Sequence, residues 1–112
     1  MTGKGIDIVE IARIERACRN RRFCERVFTK AELERATSGV GLARRFALKE
    51  ALLKALGTGL AGSIRWKDVE FVDPDGRVLR LHDRVKNLLE GRKIHFGSAH
   101  SGGLAIATVV IE

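Results

Sequence analysis

Tyrosine is absent from this chain of 112 residues, tryptophan occurs once and phenylalanine five times. So few rings, without clustering, argue against a platform for stacking bases, and a nucleic-acid-binding role stands only as the lesser alternative. Cysteine is scarce too. Cys18 and Cys24 do not match zinc-site spacing, and they read as reduced thiols of a cytoplasmic protein. No apolar run approaches the roughly 20 residues that span a bilayer, so no membrane partner is expected. The opening "MTGKGIDIVEI" lacks the basic-then-apolar layout of a secretory signal and is expected to belong to the mature fold. Repeats, low-complexity tracts and linkers are also missing, which leaves a single domain over residues 1–112.

What is present describes a globular protein, with 45% apolar and 31% charged residues. A core built from a chain this short is modest, and a partner subunit would add to its stability. The net charge is +7 and unevenly spread. From Arg13 to Lys30 there are seven basic residues against two acidic ones, Glu15 and Glu25. A basic surface this concentrated implies an acidic partner, without choosing among nucleic acid, anionic lipid and acidic protein.

Periodicity places the elements. "GKGIDIVEI" alternates around Ile6 and Ile8 and suits a short strand near the core. Ile11, Ile14 and Cys18 then recur at helical spacing, predicting an amphipathic helix from Glu10 to about Asn20. "TKAEL" has the form of a capping box, with Thr29 as N-cap and Glu32 reaching back, so a helix is expected over Lys30–Thr37. A long helix follows and stops at Gly57. In the second half "WKDVEFVD" and "RVLRL" flank the turn "DPDG", and "DRVKNLLEG" reads as a helix capped by Asp83 and ended by Gly91. "KIHFGSA" and "LAIATVVI" are two strands joined by "HSGG". The expected fold class is α+β, a largely antiparallel sheet packed around a long central helix.

That central helix, within "RRFALKEALLKALGTG" (44–59), carries Lys49, Glu50 and Lys54 amid apolar residues. Glu50 and Lys54 stand four apart, which as an exposed pair is worth only a few tenths of a kcal/mol. The alternative is a polar cleft, since burial without partners costs several kcal/mol. Glu50 would then serve metal binding or acid–base work, and Lys54 would face phosphate. The "GTG" at 57–59 either supplies backbone N–H groups to an anion or simply ends the helix. Asp7, between isoleucines, is either outward-facing or held by a metal or a donor. Two carboxylates from separate elements, with lysines nearby, suit Mg²⁺ shared with substrate phosphates. Ser98 and His100 stand at i, i+2 on one side of a strand but lack a nucleophile-elbow pattern, so ligand binding or a structural role is favoured over a hydrolase pair.

Together these segments resemble the bacterial holo-acyl-carrier-protein synthase family, the small phosphopantetheinyl transferases. "GIDIVEIARI" is similar to that family's opening motif, "RRFALKEALLKALGTG" to its second signature, and "SAHSGGLAIATVVIE" to its closing segment. The likeness covers essentially the whole chain, in order. Lys4 departs from it, standing where the opening motif is more often apolar, and the stretch from Thr37 to Leu42 is short. The resemblance implies the 4′-phosphopantetheinyl transferase fold. It also implies transfer of 4′-phosphopantetheine from coenzyme A to a serine of apo acyl carrier protein, in support of fatty acid biosynthesis. On it, Asp7 and Glu50 would bind Mg²⁺, and Lys54 would contact the phosphates as the third catalytic residue. Arg45 would hold the 3′-phosphate of coenzyme A, with Gly57, Ser98 and His100 beside the coenzyme. Arg13, Arg16, Arg21 and Phe23 would dock the acidic carrier, and active sites would lie between the subunits of a homotrimer. Lys49 matches the family's Lys-Glu dipeptide without an implied role.

Overall fold

The computed structural model describes residues 2–112. Strand β1 (Gly3–Glu10) pairs antiparallel with β5 (Leu104–Ile111), which pairs antiparallel with β4 (Ile94–Ser101) on its other side. The β4–β5 hairpin turns at Gly102 and Gly103, both at positive φ, the backbone that a tight turn between twisted strands requires. Alternation decides the faces of the sheet. Ala105, Ala107, Val109 and Ile111 point inward and are buried, while Leu104 and Ile106 point outward and are partly exposed.

The central helix α4 (Gly39–Leu56) lies across the inner face. Ala43, Ala47, Leu48, Ala51, Leu52 and Leu53 are all buried, with apolar residues on every side of the helix rather than in one stripe. Contact with β1 is intimate. A Cβ on Gly5 would sit 1.8 Å from the carbonyl oxygen of Ala51, so glycine there is what lets helix and strand backbones meet. This reverses the expectation for β1. Ile6 and Ile8 are on the outer face, 62% and 57% exposed, and Asp7 points toward α4.

Short helices α1 (Ile11–Ala17), α2 (Arg21–Val27) and α3 (Lys30–Arg35) follow β1. The helix expected to run to Asn20 ends earlier, because Asn20 caps α2, its side chain accepting from the N–H groups of Arg22 and Phe23. The Thr29–Glu32 capping box is formed, though α3 stops at Arg35. A 3₁₀ turn (Trp66–Asp68) leads into the hairpin of β2 (Val69–Phe71) and β3 (Leu79–Leu81), then α5 (Asp83–Leu89). Val69, Glu70 and Phe71 are all buried, so β2 does not alternate as its sequence suggested. Asp83 begins α5 instead of capping it, and its carboxylate faces Arg65 at 3.3 Å. Among the described residues no helix is long and apolar enough to cross a membrane.

Two opposite charges, Lys49 on α4 and Glu32 on α3, are sealed into this core. The Lys49 ammonium is fully buried, donating to Glu32 Oε1 and the Val27 carbonyl at 2.6 Å each and to the Trp66 carbonyl at 3.3 Å. Glu32 is equally buried, and its carboxylate also accepts from the N–H groups of Thr29 and Phe71. Burial holds the Lys49 ammonium below its ordinary pKa, against the pull of Glu32. Lys49 therefore has a role: it ties α4 to α2, α3 and the 3₁₀ turn.

Candidate active site

Asp7 reaches the inner face beside the C-terminal half of α4. Its Oδ1 accepts from Lys54 Nζ at 2.8 Å, and the same ammonium donates to the Ile6 carbonyl at 3.2 Å. The Asp7 side chain is 13% exposed, and its Oδ2 is buried with no hydrogen-bond partner. Left unanswered, such a group costs about 1–3 kcal/mol. Glu50, one turn before Lys54, is half-buried. Burial first, and the nearby Asp7 charge second, push its carboxyl above the usual range, with Lys54 and Arg13 opposing. Hydrogen bonding to Asp7 raises Lys54.

Glu50 and Lys54 line a hollow of about 470 Å³ with Leu53, Gly57, Gly59, Leu60 and Trp66. Two converging carboxylates, one with an orphaned oxygen, provide hard oxygen donors for a divalent cation. Among the described residues no third His, Cys, Asp or Glu joins them. Mg²⁺ is a cation that one or two carboxylates can hold, with water and substrate phosphate completing its shell.

The other expected residues fall elsewhere. Ser98 and His100 lie on β4, and the register sets Asp7 opposite Ala107 and Ala107 opposite Ser98. Two strand spacings, about 10 Å of sheet, separate Asp7 from Ser98, with α4 lying across that face. Ser98 Oγ accepts from Arg44 Nε at 2.9 Å, so the partner it meets across the sheet face is an arginine. Arg44 and Ser98 line a second hollow of about 510 Å³ with Asp75, Gly76, Arg77 and His95. His100 is exposed.

Arg45 requires a correction. Expected to hold a phosphate, it is only 1% exposed, and its guanidinium donates to the carbonyls of Gly41, Phe71, Asp73 and Pro74. It braces the β2–β3 loop from inside. Its neighbour Arg44 is the guanidinium that faces open space, and Arg77 joins it; sequence reasoning missed both. Trp66 was missed as well. Its ring stacks on Phe46 at 5.3 Å, and Phe46 meets Phe23 at 6.4 Å, so an aromatic row runs from α2 to the Glu50 hollow. The clue was the lone tryptophan shortly after the glycine-rich loop. Arg13 and Arg16 on α1 and Arg21 on α2 are exposed, and Arg21 pairs with Glu25 at 2.8 Å.

Comparison with known proteins gives a consistent picture. The family model of the 4′-phosphopantetheinyl transferase superfamily matches residues 3–109. A holo-[acyl-carrier-protein] synthase of Geobacter metallireducens is 43% identical, with 98% of this chain and 96% of the relative aligned. Among solved structures, the holo-[acyl-carrier-protein] synthase of Neisseria meningitidis superposes with a TM-score of 0.84 at 30% identity, covering 98% of this chain and 97% of its own. The Helicobacter pylori enzyme in complex with coenzyme A gives 0.83 at 32% identity, covering 97% and 99%. The fold, the converging carboxylates and these likenesses agree: the chain belongs to the 4′-phosphopantetheinyl transferase superfamily, in its holo-acyl-carrier-protein synthase branch.

Proposed function

We propose that the protein transfers 4′-phosphopantetheine from coenzyme A to a serine of apo acyl carrier protein, releasing adenosine 3′,5′-bisphosphate and supplying holo carrier for fatty acid synthesis. The observation that carries the chemistry is the Asp7–Glu50–Lys54 cluster, with its unpaired, buried Asp7 Oδ2. In the reaction the serine oxygen bonds to the phosphorus on the pantetheine side. The bond from that phosphorus to the bridging oxygen breaks, and negative charge collects on the leaving 5′-phosphate. Asp7 and Glu50 would hold Mg²⁺, which supplies Lewis-acid neutralisation of the diphosphate. The Lys54 ammonium, already at the rim of the hollow, stabilises charge on the leaving phosphate. The serine proton passes to solvent water as the bond forms.

Coenzyme A needs more than one hollow. Arg44 and Arg77 in the second hollow suit the 3′-phosphate, with Ser98 and His100 along the same strand. Since one chain keeps the two hollows apart, the full site forms where the Asp7 edge of one subunit meets the β4 edge of another. The outer sheet face supports such an assembly, because Ile6, Ile8, Leu104 and Ile106 leave it apolar and uncovered. A homotrimer with sites between protomers is the arrangement we infer, working in the cytoplasm, where Cys18 and Cys24 remain free thiols. Exposed Arg13, Arg16 and Arg21, with half-buried Phe23 beside them, would receive the carrier.

Incubation with coenzyme A, Mg²⁺ and apo carrier, read by intact mass, tests the reaction. The carrier should gain one phosphopantetheine, and EDTA should prevent the gain. Failure of the protein to label any carrier would overturn the proposal. Mixing Glu50→Ala with Arg44→Ala protein tests the shared site. Each alone should be weak, and exchanged subunits should regain activity; a mixture no better than its parts would place the whole site within one chain.

A further inference from the structure

A third hollow of about 490 Å³ adjoins the Glu50 hollow, and Leu60 and Trp66 line both. Its floor is apolar, made by Leu60, Ile64 and the Trp66 ring, and its rim is cationic, made by Arg26, Arg65 and Lys67. No carboxylate lines it. Arg65 is held by Asp83 at 3.3 Å and by Asp68 at 3.8 Å, but among the described residues Arg26 and Lys67 form no ion pair. The wall is firm, since the Trp66 carbonyl accepts from buried Lys49 and its ring stacks on Phe46. Arg26 and Lys67, two cations outside any ion pair beside apolar surface, leave an anionic, partly apolar occupant as the complementary one.

We propose that this groove is a second docking surface for the acidic carrier substrate, separate from the arginines of α1. It takes an acidic segment that sets one apolar side chain on Leu60 and Trp66 between carboxylates meeting Arg26 and Lys67. The position argues for the protein substrate: a serine entering at Glu50 and Lys54 brings its surroundings over whatever borders that hollow, and this groove borders it. The inference rests on the proposed transfer to a carrier and adds where the carrier is gripped.

Trp66, the only tryptophan in the chain, reports on the groove directly. An acidic apo carrier lacking tryptophan, titrated without coenzyme A, should shift Trp66 emission saturably. The R26E/K67E variant, which leaves the anchored Arg65 in place, should need about tenfold more carrier in about 50 mM salt, and the gap should close in about 500 mM salt. The charge-matched variant K86E/K93E, at two residues that do not line the groove, should bind as the unaltered protein does. Melting temperature checks folding, and the KM for coenzyme A should stay in place in R26E/K67E. Binding by R26E/K67E equal to that of the unaltered protein overturns the proposal. So does an equal loss in K86E/K93E, or no emission change with any carrier. Binding with the expected loss in R26E/K67E but without transfer of mass would sustain the groove while sinking the proposed reaction.

Discussion

Helix α4 carries two lysines that each meet a carboxylate from a distant element, and the two pairs could hardly differ more. Lys49 and Glu32 are wholly buried, and every strong hydrogen-bonding group around them is answered. Lys54 is half exposed, and its partner Asp7 keeps one oxygen buried and unanswered. Saturation with partners is the mark of a structural pair. A pair left incomplete, at the edge of a hollow, is ready to exchange partners with a substrate or a metal. Burial alone would point to Lys49, the lysine whose partners are already complete.

The sharpest way to break the comparison is to exchange its outcomes. Glu50→Ala or Asp7→Ala should lower transfer by about a thousandfold or more, on the scale of losing a central electrostatic element of the site. Neither should lower the melting temperature appreciably, and Asp7→Asn, which removes one of two neighbouring negative charges, should hold or raise it. A large thermal loss in these variants would mean that Asp7 belongs with the structural pair. Next in size is Glu32→Gln or Lys49→Met. Each strands one buried charge, and the cost should be about 3–5 kcal/mol by denaturant unfolding, with the surviving folded protein still able to transfer. Replacing both with apolar residues should recover most of that stability, because the desolvation of two ions disappears together. Lys54→Met should cut kcat about a hundredfold while changing stability by no more than about 1 kcal/mol, since its ion pair is screened by solvent. An unchanged kcat would remove Lys54 from the chemistry.

Which parts of this contrast were readable in advance follows from how local each signal is. The Gly57 stop, the Thr29–Glu32 box and the Gly102–Gly103 hairpin were legible, because each depends on neighbours within a few residues. Asp7, Glu50 and Lys54 were legible as charges out of place in apolar surroundings. Lys49 was not, since Glu32 already had an explanation as a capping residue and its second role crosses to another helix. Two adjacent arginines at 44 and 45 point about 100° apart on α4, and which one turns inward depends on carbonyls of the β2–β3 loop. Alternation in β1 separated two faces but not which one α4 would cover. Gly5, too small to weigh in a hydrophobic count, settled that by admitting the helix backbone.

A third pair completes the gradient from buried to exposed. Arg21 and Glu25 lie one turn apart on α2 at 2.8 Å, with both side chains largely in water. Hydrogen bonding to Arg21 lowers the Glu25 carboxyl from its ordinary pKa, yet screening leaves little for the fold in such a contact. Glu25→Gln should therefore leave the unfolding midpoint unchanged. It should still be felt in binding, because Arg21 would meet an acidic carrier without a competing carboxylate, and Lys67 near the Trp66 groove would lose the same negative neighbour. The expected result is a KM for carrier lower by about twofold at low salt, with the difference gone at high salt. A rise in KM would mean that Glu25 orients Arg21 for docking instead of competing for it, and the exposed pair would then belong beside Lys54 and Asp7.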